Sequence, residues 1–123
     1  MALILIADDE EPLLHLLERY LTSQGYQVRT AADGAEALRL GEECLQALDL
    51  MITDVRMPEM EGTEVARRLK EERPDLKVLL ISGYAPDQSI SEPLLPKPFA
   101  PSELLAKVRE LIEPESEPEP GDA

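Results

Sequence analysis

Basic residues are scarce in this chain: 12 lysines and arginines stand against 26 aspartates and glutamates over 123 residues, a formal charge of -14. An acidic surface repels nucleic-acid phosphates and anionic lipid, which argues against direct binding to nucleic acid or to a membrane. Aromatics are nearly missing. There is no tryptophan, and Tyr20, Tyr26, Tyr84 and Phe99 are the whole set, so a core must come from Leu, Ile, Val and Ala. Cys44 is alone, which excludes an intramolecular disulfide framework and a cysteine-rich metal site; it reads as small apolar filling on a helix. No segment approaches the roughly 18 apolar residues of a membrane span. The opening "MALILIA" has no basic stretch before it and runs straight into Asp8-Asp9, unlike a signal peptide. These absences lead us to expect a soluble, cytoplasmic protein.

What is present alternates. Short apolar runs at Ala2–Ala7, Leu48–Thr53 and Leu76–Ile81 are almost continuously hydrophobic, as strands buried on both faces should be. Tyr26–Thr30 and Leu94–Pro96 are shorter candidates. Between the runs lie stripes at helical spacing. Leu13, Leu14, Leu17, Tyr20 and Leu21 form one; Ala35, Leu38, Leu45 and Leu48, with Gly41 inside, form a second; Val65, Ala66 and Leu69 form a third; Leu104, Leu105, Val108, Leu111 and Ile112 form the last. Gly25 ends the first helix, Asp33-Gly34 opens the second, Pro74-Asp75 stops the third, and Pro101-Ser102-Glu103 starts the last without the glutamate of a capping box three residues after Ser102. Strand–helix alternation of this kind predicts one α/β domain over residues 1–112, a parallel sheet covered by helices on both faces. The remainder, "EPESEPEPGDA", holds five acids and almost nothing to bury, and is expected to be a disordered acidic tail over 113–123.

In an open α/β sheet functional groups gather at the carboxyl ends of strands. Here the first strand ends in Asp8-Asp9-Glu10, the third in Asp54, the fourth in Ser82 and the fifth in Lys97. Carboxylates, a hydroxyl and an ammonium on one edge form an inventory for phosphoryl transfer. Carboxylate oxygens suit Mg²⁺, a carboxylate can act as a nucleophile, and a compact ammonium neutralises phosphoryl oxygens. Glu10 is expected to serve the dipole of the first helix. His15, among Glu11, Glu18, Arg19 and Thr22, reads as a solvated residue, not a phosphotransfer histidine.

The stretches "ILIADDEEPLLHLLERYLTSQGYQVRTAADGAEAL", "DLMITDVRMPEMEG", "VLLISGY" and "LLPKPFAPSELLAKVREL" occur in the order and positions of a response-regulator receiver domain. The chain resembles that family from Leu3 to about Ile112. The resemblance implies a flavodoxin-like, doubly wound (βα)5 fold with strand order 2-1-3-4-5. It implies that Asp54 accepts a phosphoryl group from a histidine kinase or a histidine phosphotransfer domain. Asp9 and Asp54 would bind Mg²⁺ (or Mn²⁺) directly with the backbone carbonyl of Arg56, and Asp8 through water. Ser82 matches the switch hydroxyl and Lys97 the lysine that pairs with the phosphoryl group. The Lys97-Pro98 bond is commonly cis in such proteins. Such a domain is not an enzyme toward external substrates; it catalyses only its own phosphorylation and dephosphorylation, and then regulates a partner as a monomer or weak homodimer.

The chain departs from the family pattern in two places. The position of the switch aromatic, three residues before Lys97, holds Leu94, which has no ring to swing inward. Between Ser82 and Lys97 there is room for only a shortened fourth helix, about "PDQSIS", bounded by Pro86 and Pro93. Arg56 and Tyr84, two residues after Asp54 and Ser82, match family positions that flank the phosphoryl group; both are bulky, and the resemblance implies that they shield an acyl phosphate and slow its hydrolysis. One alternative is a pseudo-receiver that binds partners without phosphorylation. A second is a haloacid-dehalogenase-type phosphatase, which would need an aspartate where Arg56 stands. Output is open: the chain reads either as a stand-alone receiver or as the C-terminal receiver of a hybrid histidine kinase.

Overall fold

The structure, a computed structural model, describes residues 1–83 and 92–112. Its elements run β1 (Leu3–Ala7), α1 (Glu11–Ser23), β2 (Gln27–Ala31), α2 (Gly34–Glu43), β3 (Leu50–Asp54), α3 (Gly62–Glu72), β4 (Val78–Ser82), β5 (Leu94–Pro96) and α4 (Pro101–Ile112). The strands form one sheet in the order β2-β1-β3-β4-β5, all neighbours parallel. The expected short helix near 86–91, Tyr84 and the acidic tail lie outside the described residues. The helix labelled α4 is therefore the one expected as the fifth.

Side chains alternate across a strand, and both faces of the central strands are used. Ile4, Ile6, Leu50, Ile52, Leu79 and Ile81 point into one cluster with Leu14, Leu17 and Leu21 of α1 and Leu104, Leu105 and Val108 of α4. Leu5, Ala7, Met51, Val78 and Leu80 point into the other, with Ala37 of α2 and Val65, Ala66 and Leu69 of α3. This is why the three runs read as continuously apolar: every residue of β3 and β4 is buried. Fully burying one such side chain contributes roughly 1.5–3 kcal/mol, so two faces stabilise each central strand about twice as much as one. Edge strand β2 alternates exposed and partly buried residues until Ala31. Pro96 falls on the other edge, where a missing N–H is tolerated.

Chain punctuation follows local chemistry. Asp33 caps α2 by accepting from the Glu36 amide at 2.8 Å, and Glu36 returns a bond to the Ala32 amide. Gly25 takes φ 99°, the left-handed turn expected after α1. Two local readings are corrected. Helix α2 stops at Glu43, short of Leu45 and Leu48, and its buried positions are Gly34, Ala37 and Gly41, while Ala35 is exposed. Small residues face inward there because α3 packs close, with Leu69 against Gly41. At α4, Glu103 accepts from the Ala100 amide at 2.7 Å, so the glutamate half of a capping box is present after all, counted from Ala100.

Candidate functional site

Strand register brings the charged residues together. Ala7 pairs with Thr53, so Asp8 stands level with Asp54 where β1 and β3 end. Asp54 pairs with Ile81 and Ser82 with Pro96, which sets Lys97 just past the end of β5. The Lys97 amide donates to the Ser82 carbonyl at 2.7 Å, extending the β4–β5 ladder by one residue, and the Lys97-Pro98 peptide is cis.

Lys97 is the hub. Its Nζ donates to Glu10 Oε1 at 2.8 Å and to Asp54 Oδ2 at 3.1 Å, and it lies 3.0 Å from Asp8 Oδ2. The contact with Asp8 is one of charge and not an aligned hydrogen bond, because Asp8 Oδ2 is a buried oxygen with no hydrogen-bond partner. Asp8 Oδ1 accepts from the Glu10 amide at 2.8 Å, and Asp54 Oδ1 from the Arg56 amide at 3.2 Å. Asp8 is wholly buried, Asp54 and Ser82 nearly so, and Asp9 is exposed.

The electrostatics follow from this crowding. Burial raises the pKa of Asp8 above the ordinary aspartate value, against the pull of the Glu10 amide and Lys97. Burial also works against the charge on Lys97, but the carboxylates of Glu10, Asp8 and Asp54 around it outweigh that cost and hold it above the usual lysine value. The ammonium is therefore charged at any working pH.

One carboxylate oxygen from each of Asp8, Asp9 and Asp54 lies within 4.8 Å of the others. Three hard oxygen donors this close, from a residue set that also carries a buried carboxylate oxygen with no hydrogen-bond partner, fit a divalent cation such as Mg²⁺ or Mn²⁺. Cysteine and histidine take no part in the cluster, which disfavours softer metals.

Of the other residues singled out from sequence, Arg56 is exposed in the loop after β3, with its amide tied to Asp54. Leu94 begins β5 and packs on the cluster shared with α2 and α3. His15 is exposed on α1, and Cys44 is partly buried, its thiol pKa raised by burial. Glu10 is corrected: it is the N-cap residue of α1, yet its side chain makes no cap bond and reaches Lys97 instead. An ammonium at 2.8 Å outcompetes a helix dipole for a carboxylate. Two supporting residues went unnoticed in the sequence. A Cβ on Gly62 would stand 1.9 Å from the Asp54 carbonyl oxygen and 2.5 Å from Thr53 Oγ1, so only glycine lets α3 start this close to β3. Thr53 Oγ1 itself donates to that carbonyl. The signal for Gly62 was its place in "MPEMEG", just before the third stripe.

A parallel sheet of order 2-1-3-4-5 with an acidic, lysine-bridged edge defines a class, and comparison with known proteins gives the same class. Residues 4–109 match the family described as response regulator receiver domain. The sensor kinase CckA of Brucella abortus is 38% identical over 119 residues, covering 91% of this chain and 13% of the kinase. The receiver domain protein of Clostridium thermocellum superposes with a TM-score of 0.86 at 29% identity, covering 94% of this chain and 97% of that one. The response regulator TrrA of Thermotoga maritima, solved in complex with Mg²⁺ and BeF, gives a TM-score of 0.79 at 34% identity over 90% of this chain and 99% of that one. The chain spans about half the length of the transcriptional regulatory protein PhoP of Bacillus subtilis and of the response regulator MprA of a Mycobacterium species, both of which it matches. This chain belongs to the response regulator receiver domain family of two-component signalling. Among the described residues no helix is long and apolar enough to cross a membrane.

Proposed function

We propose that the domain is a phosphoacceptor: a carboxylate oxygen of Asp54 attacks the phosphorus of a phosphohistidine on a histidine kinase or histidine phosphotransfer domain. An O–P bond forms, the P–N bond breaks, and the departing imidazole takes a proton. The observation that carries this reading is the Lys97 ammonium held within 3.1 Å of both Asp54 and Asp8 at the ends of three strands. A fixed cation beside a buried carboxylate is placed for the oxygens of an incoming phosphoryl group and requires little reorganisation. Asp8, Asp9, Asp54 and the Arg56 carbonyl would hold Mg²⁺ (or Mn²⁺). When bound, the ion supplies charge neutralisation for the phosphoryl oxygens. The TrrA complex with Mg²⁺ and BeF supports this by analogy.

Each side chain has one task. The Arg56 amide orients Asp54 through Oδ1. Lys97 takes an oxygen of the transferred group, and the Ser82 hydroxyl binds another, drawing the end of β4 toward β3. Because Leu94 holds the position of the family's aromatic and has no ring, that closure is relayed without a ring flip. Arg56 and Tyr84 restrict water and lengthen the life of the acyl phosphate. Incubation with acetyl phosphate and Mg²⁺ should label the wild type and not Asp54→Ala. An unlabelled wild type would leave the pseudo-receiver reading in its place.

A further inference from the structure

Lys97 is shared with a residue that neither the metal cluster nor the transfer step uses. Glu10 Oε1 makes the shortest of the three contacts to Nζ, 2.8 Å against 3.0 Å for Asp8 and 3.1 Å for Asp54. Glu10 is absent from the group of carboxylates close enough to share an ion. Its backbone is pinned, with its amide on Asp8 Oδ1 and its carbonyl accepting the Leu14 amide at 2.9 Å as the first bond of α1. Its side chain forgoes the helix terminus that a glutamate at an N-cap could serve. The side chain of Glu10 is 62% exposed and that of Lys97 16%. The bond therefore spans the mouth of the site, from solvent to the buried carboxylates.

Resting on the phosphoacceptor reading, we infer that Glu10 is a positioning residue that acts through Lys97: it is the resting counter-ion of the ammonium and a brake on phosphorylation of Asp54. The incoming phosphoryl group competes for the ammonium with the carboxylates that already surround it, and Glu10 is the one free to yield. Asp8 is fixed within the fold and Asp54 is the attacking group, whereas the Glu10 side chain can swing into water. Its negative charge at the mouth also opposes an anionic donor. Both effects act in one direction, so removing the carboxylate speeds transfer. Exposed ion pairs of this kind have modest strength, which converts to an effect of about threefold.

The test compares wild type with Glu10→Gln, Glu10→Asp and, as a charge control on the same helix, Glu11→Gln. With acetyl phosphate at sub-saturating concentration, saturating Mg²⁺ and low salt, Glu10→Gln should be phosphorylated about three times faster than wild type, and the difference should shrink at high salt. Glu10→Asp keeps the charge but is one methylene too short for the 2.8 Å contact. It should accelerate, though less than Gln because its charge still opposes the anionic donor, while Glu11→Gln should match wild type. In metal-free protein, the Lys97 ammonium signal in ¹⁵N NMR should exchange faster with water in both Glu10 variants than in wild type. Equal rates in wild type and Glu10→Gln, or Glu10→Asp behaving as wild type, overturn the brake. An unchanged ammonium signal overturns the contact on which it rests. Failure of the phosphoacceptor reading looks different: no variant is labelled, whatever the ammonium signal does.

Discussion

Two clusters of charge in this molecule obey opposite rules. On α3, Glu64 accepts from Arg67 and Arg68, and Arg67 also pairs with Glu71, all on a solvated helix face at spacings of three and four. At the strand edge, one lysine faces three carboxylates, two of them on buried residues. In the first cluster opposite charges relax one another, and the arginines beside Glu64 hold its carboxyl down to about 2. In the second, burial pushes Asp8 the other way. A helix face spends its charges on solubility, while the strand edge stores unneutralised negative charge that a cation and a phosphoryl group can use.

The largest effect should come where the two regions meet, at the start of α3. Gly62→Ala forces a Cβ onto the Asp54 carbonyl, and should lower the unfolding free energy by about 3 kcal/mol in denaturant titrations. Next, Lys97→Met leaves the buried carboxylates without their cation. It should cost about 2 kcal/mol in metal-free protein, less than for a fully buried pair because the ammonium is partly solvated, and added Mg²⁺ should recover part of that loss.

The sharpest contrast lies in the sign of two neutralisations. Asp8→Asn removes a buried charge whose desolvation outweighs its ion pair with Lys97 and should stabilise the metal-free protein by about 1 kcal/mol, while removing the rise in Tm that Mg²⁺ gives the wild type. A carboxyl held above its ordinary value costs stability at neutral pH, and that cost fades as pH falls through the folded-state pKa, so the gain from Asp8→Asn should shrink in acid. Glu64→Gln should do the reverse on a smaller scale, lowering Tm by about 2 °C or less. Its carboxyl lies below the ordinary value, so its contribution is present above pH 4.5 and is lost as pH falls toward about 2. Thermal melts of both variants from neutral pH into acid would break the comparison if the two slopes had the same sign.

Much of this was legible in the sequence because its signals are local or periodic. Continuous apolar runs gave the central strands, since both faces of the sheet are covered. Strand ends gave the site, since parallel register makes all of them arrive at one edge. Less legible were features decided by approach distance between distant segments. The inward face of α2 depends on how close α3 packs, which Ala35 and Leu38 do not disclose. The role of Glu10 depends on a residue 87 positions away, and a capping glutamate and a lysine-pairing glutamate read the same in one dimension. Arg73 donates to the carbonyls of both Leu45 and Leu48, tying the chain after α2 to the end of α3, and nothing in its local sequence distinguishes it from a surface arginine.

The phosphoacceptor assignment is tested most directly by mapping the modified residue. After incubation with acetyl phosphate and Mg²⁺, borohydride reduces an aspartyl phosphate to homoserine, which peptide mass spectrometry locates. We expect homoserine at position 54, dependent on both the donor and the metal. Homoserine at another aspartate, or none in a protein that remains folded and binds Mg²⁺, would contradict the assignment.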